Sequence, residues 1–264
     1  MTAQILTRRE GAVLVVVNSD PETRNALSWA FYDGFRELLG TAAADPGIRA
    51  IVVTGAAGFF CSGGNVAGLE ERSRADFVTR RASVERLHGM IRAMRACPLP
   101  VIAAVEGGAA GAGVSLALGC DIVVAARDAY LSVAYVRIGL TPDGGATAFL
   151  LEALPRQLVA EMIWTGDRVG VERLHALGLV NRLAEPGAAL EEALALATRL
   201  AQGPREAMTA GKRLIASAPA NTLDAQLDAE ADGIATALGG PEGREGIAAF
   251  LAKRRPDFSG TPQG

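Results

Sequence analysis

Up to about residue 185 the chain alternates between short runs rich in β-branched residues and longer segments with helical spacing. Residues 12–17 (AVLVVV), 48–54, 100–105 and 121–125 lack the polar alternation of a half-exposed strand. Each is expected to be buried on both faces, as the strands of a mostly parallel sheet are. Between the first two runs, Trp29, Phe31, Phe35, Leu38 and Leu39 share a helical stripe behind Ser28, whose hydroxyl suits an N-cap. Between the next two, residues 77–94 are basic and amphipathic, with Val84, Leu87, Met90, Ile91 and Met94 on one face. Strands joined by helices in this order predict crossover units and an α/β domain.

Past Gly187 no strand pattern recurs. Residues 188–201, 205–217, 223–238 and 242–253 read as helices, punctuated by Gly203-Pro204, Pro219 and Gly239-Gly240-Pro241. Two units follow: an α/β domain over 1–187 and a helical module over 188–264 that packs on the domain or reaches out from it. Residues 259–264 are expected to fray.

Composition narrows the function. At 264 residues a chain buries roughly 70–75% of its extended surface, so no disulfide or metal staple is required. The 26 basic and 29 acidic residues leave a net charge of −3, which argues against nucleic acid and anionic membranes as partners. Cys61, Cys97 and Cys120 are widely spaced and odd in number, so a reducing cytoplasm is the expected setting. Two histidines, His88 and His175, offer little for a metal site, and none is expected. The longest uncharged stretch, residues 51–69, holds five glycines and reads as strand plus loop rather than a membrane span. Arg8, Arg9 and Glu10 fall where the apolar core of a signal peptide would be.

Candidate chemistry lies in two glycine-rich loops, residues 55–65 (GAAGFFCSGGN) and 106–113 (EGGAAGAG), each directly after a buried strand. Such backbone lets N–H groups approach a ligand closely, and the second loop opens a small-residue helix at its positive end. Two strand-end loops converging on one point supply two donors to one oxygen, the arrangement of an oxyanion hole. Taken singly, each loop reads equally as turn and close packing. Neither matches a phosphate-cradling motif, and the chain has only Lys212 and Lys253.

Together with residues 59–66 (FFCSGGNV), 98–107 (PLPVIAAVEG), 111–122 (GAGVSLALGCDI), 139–145 (GLTPDGG) and 172–180 (ERLHALGLV), the chain resembles the enoyl-CoA hydratase/isomerase (crotonase) family. The likeness runs from residue 12 to 258 in the family's order. Residues 109–113, 141–145, 221–227 and 244–253 are most similar to the ring-epoxide isomerase and oxepin-CoA branch of phenylacetate degradation. The resemblance implies a fold of stacked ββα units, a C-terminal helical module used for trimerisation, and a homotrimer or hexamer. It also implies an acyl-CoA thioester as substrate, no separate cofactor, and a thioester enolate held by the N–H groups of Gly64 and Ala112. Around these, Ser62, Gly63, Asn65, Val66, Gly111, Ser115, Tyr135 and Pro142 would line the substrate site. Arg24, Ala26 and Leu27 fall in the stretch that meets the nucleotide end of CoA, and Lys253-Arg254-Arg255 ends a helix that packs near it in relatives.

The departures from the family shape the mechanism. Hydratases of the family use two glutamates, and their positions here hold Ser115 and Tyr135. Asp143, in the Pro-Asp-Gly-Gly turn, stands where some isomerases and a dehalogenase of the family carry a working aspartate. Without the resemblance, Asp143 is ordinary turn chemistry. With it, Asp143 is expected to shuttle a proton on the enolate, a role that contributes about 10²–10⁴-fold. Other readings stay open: a 2-enoyl-CoA hydratase adding water through Asp143, a non-catalytic acyl-CoA binder, and a serine hydrolase whose Ser115, Asp143 and His175 follow in triad order.

Overall fold

The computed structural model describes residues 4–258; the fraying expected of 259–264 falls outside them. β1 (Gln4–Glu10) pairs antiparallel with β2 (Val13–Ser19), in register from Gln4 opposite Ser19 to Glu10 opposite Val13. Behind Ser28, whose hydroxyl accepts the Phe31 N–H, the chain enters α1 (Trp29–Ala44) and returns along β3 (Ala50–Gly55). α2 (Val66–Ser73) and α3 (Phe77–Ala96) lead to β4 (Val101–Val105). Then come β5 (Gly108–Ala110), α4 (Ala112–Gly119), β6 (Ile122–Ala126) and β7 (Tyr130–Ser132). A 3-10 turn (Ala134–Ile138) precedes α5 (Ala146–Ala153), α6 (Arg156–Thr165), β8 (Arg168–Gly170), α7 (Val171–Ala176) and β9 (Arg182–Ala184). The chain ends in α8 (Ala189–Ala201), α9 (Arg205–Ser217), α10 (Leu223–Gly239) and α11 (Pro241–Leu251).

The main sheet runs β1-β2-β3-β4-β6-β9, parallel except at the β1–β2 hairpin, and β5-β7-β8 form a second small sheet. The all-apolar runs are the central strands, and every residue of β4 is fully buried. β1 carries no such signal: it is mostly exposed, its sequence QILTRRE is mostly polar, and it forms by pairing with a buried neighbour.

Two details of the predicted stripes shift. Trp29 is 45% exposed because it lies outside the core beneath the guanidiniums of Arg86 and Arg72, 4.4 and 5.9 Å from the ring centroid. Tyr32 takes its place on the buried face of α1. Val84 is half exposed, and the buried stripe of α3 begins at Leu87.

The last helices divide. α8, which the pattern groups with the C-terminal module, packs across β2, β3, β4 and β6 and buries Ala189, Ala193, Leu196 and Ala197 in the main core. α9 is tied on by polar contacts: Lys212 Nζ donates to Met94 O, Leu99 O and Asp121 Oδ2, at 3.1, 3.2 and 2.7 Å. Ile215, Leu223, Ile234, Phe250 and Leu251 on α9–α11 are each at least 60% exposed. No helix among the described residues is long and apolar enough to cross a membrane.

Candidate active site

The first glycine loop is knotted to the segment before α1. Arg24 and Asn25 both adopt left-handed backbone, which asparagine tolerates and most side chains resist. The Asn25 side chain is fully buried and joins the end of β2 to the first glycine loop after β3. Its Nδ2 donates to Ala56 O and Phe59 O, its Oδ1 accepts the Asp20 N–H, and its carbonyl accepts from Asn18 Nδ2. Ser62 N–H donates to Arg24 O, and its hydroxyl donates to Thr23 O at 2.7 Å. Ala26, buried, donates its N–H to Thr23 Oγ1, and the Arg24 guanidinium lies 5.7 Å from the Phe59 ring centroid. Leu27 N–H donates to Gly63 O, and Asn65 N–H to Leu27 O, which leaves the Gly64 N–H between them unused in the bridge.

The two loops then meet backbone to backbone. Phe60 N–H donates to Glu106 O and Ala110 N–H to Cys61 O, both at 2.9 Å. Gly63 has φ +105°, and a Cβ there would stand 2.8 Å from Ala110 O and 3.5 Å from Ala112 N. Only glycine permits that approach. Ala112 is the first residue of α4, so its N–H has no partner inside the helix. Neither the Gly64 nor the Ala112 N–H has an acceptor among the described residues. Both donors lie where the two loops meet. Cys61, beneath them, is fully buried, and burial pushes its thiol up to about 12, so it is no nucleophile at neutral pH.

Asp143 is gripped from two sides. Ser115 Oγ donates to its backbone carbonyl at 2.8 Å, and Tyr135 Oη donates to its Oδ1 at 2.6 Å. Gly144 makes this contact possible: with φ +61°, a Cβ there would stand 2.7 Å from Ser115 Cβ and 3.1 Å from Leu87 Cδ2. Burial, then the Asp143 charge and its hydrogen bond, push the Tyr135 hydroxyl well above the ordinary tyrosine range, so it remains a donor. Oδ2 of Asp143 has no partner among the described residues.

The two positions at which hydratases would carry glutamates thus hold the hydroxyls that fix Asp143. Ser115, expected along the substrate pocket, is fully buried and donates to the Asp143 turn. Of the other expected lining residues, Asn65 and Val66 are exposed, and Gly111 and Pro142 are half-buried. The hydrolase triad is not assembled: Ser115 Oγ faces a backbone carbonyl of Asp143, and His175 Nδ1 lies 2.7 Å from Val180 O. Glu106, at the end of β4, accepts the N–H groups of Gly187 and Ala189 and so caps α8. Arg254 pairs with Glu245, and Arg255 with Gln202. Among the described residues no three His, Cys, Asp or Glu side chains come together to hold a metal ion. Asn25 belongs to this neighbourhood and carries no motif of its own. The one local signal was an asparagine inside an otherwise ordinary Thr-Arg-Asn-Ala turn.

Comparison with known proteins identifies the family. The model of the enoyl-CoA hydratase/isomerase family matches residues 8–261. The chain is 35% identical to 1,2-epoxyphenylacetyl-CoA isomerase of Escherichia coli K12 over 97% of its own length and 98% of that protein. It is 33% identical to 2,3-dehydroadipyl-CoA hydratase of the same organism, over 98% of its own length and 99% of that protein. The crystal structure of an enoyl-CoA hydratase from Polaromonas sp. JS666 superposes with a TM-score of 0.94 at 45% identity, over 96% of this chain and 98% of that one. The stacked α/β architecture is therefore the crotonase fold. With the family's match spanning both glycine loops and the Asp143 turn, the chain belongs to the enoyl-CoA hydratase/isomerase family and is an enzyme of the lyase or isomerase kind.

Proposed function

We propose that the protein is an acyl-CoA isomerase in which one carboxylate moves a proton on a thioester enolate. The observation that carries this reading is the setting of Asp143: its Oδ1 is held by Tyr135 at 2.6 Å, and serine and tyrosine occupy both hydratase glutamate positions. Asp143 removes a proton from the carbon α or γ to the thioester carbonyl, and the electron pair moves onto the carbonyl oxygen. The Gly64 and Ala112 N–H groups stabilise that oxygen as charge develops, where fixed donors act most strongly. The protonated Asp143 then returns the proton to a different carbon, so atoms and charge balance with no co-reactant. The unsaturated or ring-derived acyl group lies between the loop junction and Asp143. The nucleotide end of CoA lies along Arg24, Ala26 and Leu27.

A second reading, a 2-enoyl-CoA hydratase that activates water through Asp143, is favoured by the Polaromonas protein's description as an enoyl-CoA hydratase. Turnover of crotonyl-CoA, a 3-enoyl-CoA and the 1,2-epoxide of phenylacetyl-CoA separates the two. Isomerisation without water addition supports the isomerase, and hydration of crotonyl-CoA as the fastest reaction overturns it. Thioester binding without any turnover would make the protein a binder only. The exposed apolar residues of α9–α11 support assembly into a trimer, or a hexamer made of two trimers. Light scattering that gives a monomer mass overturns that part.

A further inference from the structure

Tyr135 is anchored independently of the aspartate it touches. It lies in the 3-10 turn Ala134–Ile138, which Gly139 ends at φ +71°, and its carbonyl accepts the Leu140 N–H at 3.1 Å. Just before the turn, Ser132 Oγ donates to Gly166 O at 2.7 Å. The phenol end reaches the loop junction: a Cβ on Gly111 would stand 4.0 Å from Tyr135 Cζ and 3.8 Å from Gly63 Cα. From there the hydroxyl donates to Asp143 Oδ1 at 2.6 Å, while Ser115 holds the Asp143 backbone carbonyl. One hydroxyl thus joins the loop junction to the carboxylate.

The bond from Ser115 fixes the Asp143 backbone and leaves the carboxylate free to turn. The terminal torsion of an aspartate is broad and two-fold, so the side chain alone prefers neither oxygen. Among the described residues, the Tyr135 hydroxyl is the one partner that distinguishes Oδ1 from Oδ2. A phenol has a single proton to donate. With that proton on Oδ1, a proton taken from substrate is received by Oδ2. Turning the protonated group away from the substrate would then break the bond from Tyr135.

We infer that Tyr135 is a positioning residue that keeps the travelling proton on Asp143 Oδ2, so that it returns to the acyl chain before it exchanges with water. The inference rests on the isomerase reading above and assigns the proton's route within it. On removal, the C–H bond breaks, the Oδ2–H bond forms and the electron pair moves to the thioester oxygen. On return, the Oδ2–H bond breaks and a C–H bond forms at the second carbon, with nothing else consumed. Turnover of 3-hexenoyl-CoA deuterated at C2, by the wild-type protein and by Tyr135→Phe, tests it. The wild-type protein is expected to place deuterium at C4 of the 2-enoyl product, read by mass spectrometry. Phenylalanine keeps the ring and removes the hydroxyl, so kcat should fall about tenfold to a hundredfold with KM unchanged. The share of product labelled at C4 should fall with it. That share is a ratio per turnover and does not depend on how much of the variant is folded. Equal label transfer by the two proteins, or no label at C4 in the wild-type product, overturns the Tyr135 assignment alone. Failure of the wild-type protein to isomerise the thioester overturns the isomerase reading itself.

Discussion

Glu106 and Asp143 are both carboxylates beside the glycine loops, and they differ in what their oxygens meet. Each oxygen of Glu106 accepts a backbone N–H at the start of α8, at 2.7 and 3.1 Å. Asp143 has one oxygen on the Tyr135 hydroxyl, while its backbone is fastened by Ser115. A carboxylate saturated by a helix terminus is fixed in place, and removing it costs stability. One held by a single hydroxyl, with its other oxygen uncommitted, keeps its direction and retains a lone pair for a substrate proton. The contrast fits the proposal that Glu106 is structural and Asp143 chemical, although by position alone Glu106 is as near the second loop.

Asp143→Asn is the strongest test of that contrast. It preserves shape and the bond from Tyr135 but removes the base, so turnover should fall about 10²–10⁴-fold, roughly 3–5 kcal/mol in the barrier. Binding of the thioester, followed by calorimetry, should change little because the loop donors are intact. Near-normal turnover would mean that Asp143 is as structural as Glu106. Next comes Ala112→Pro, at the one helical position where proline is well tolerated. It deletes an N–H without breaking α4, and the expected loss of turnover is about 10²–10³-fold with an unchanged melting temperature.

Glu106→Ala should do the reverse. Loss of two charge-assisted bonds at the α8 terminus is expected to cost about 1–3 kcal/mol of stability, several degrees in Tm for a chain of this size. Turnover of the folded enzyme below its melting range should stay near wild type. A Glu106→Ala protein that melts normally but has lost turnover would exchange the two roles.

The sequence pattern disclosed the central sheet because strands buried on both faces read as unbroken valine and isoleucine. It disclosed the glycine loops because close backbone approach excludes side chains, as Gly63 against Ala110 shows. It was silent on β1, whose arginines and threonine face outward and whose strand character comes from its partner. It was also silent on what holds Asp143. The bond from Ser115 spans 28 residues, and only the folded chain brings α4 against the Asp143 turn. The pattern also left out Tyr32, a polar-tipped aromatic that lies on the buried face of α1. Position 29 shows the opposite error, an apolar residue assigned to the core that two arginines hold at the surface.

The smallest effect is expected at a third carboxylate, Glu245, saturated as Glu106 is, which isolates saturation from burial. Its oxygens accept from Arg254 at 2.6 and 2.8 Å and from the Asp257 N–H at 2.8 Å. The arginine first, then the backbone N–H, hold its pKa down from 4.5 to about 2. Because the folded value lies below the unfolded one, the stabilisation is in force above about pH 4.5 and fades as pH falls toward 2. Exposure keeps it modest, since solvent screens the pair and the ion pair is surface-lying. Acid should therefore loosen the end of α11 and residues 252–257 while the main sheet is still protected, visible as faster amide exchange at Asp257 below pH 4. Glu245→Gln should abolish that pH dependence and leave turnover untouched. If Glu245→Gln instead lowers the melting temperature as far as Glu106→Ala does, then hydrogen-bond count alone sets a carboxylate's structural weight here, and the burial of its partners does not.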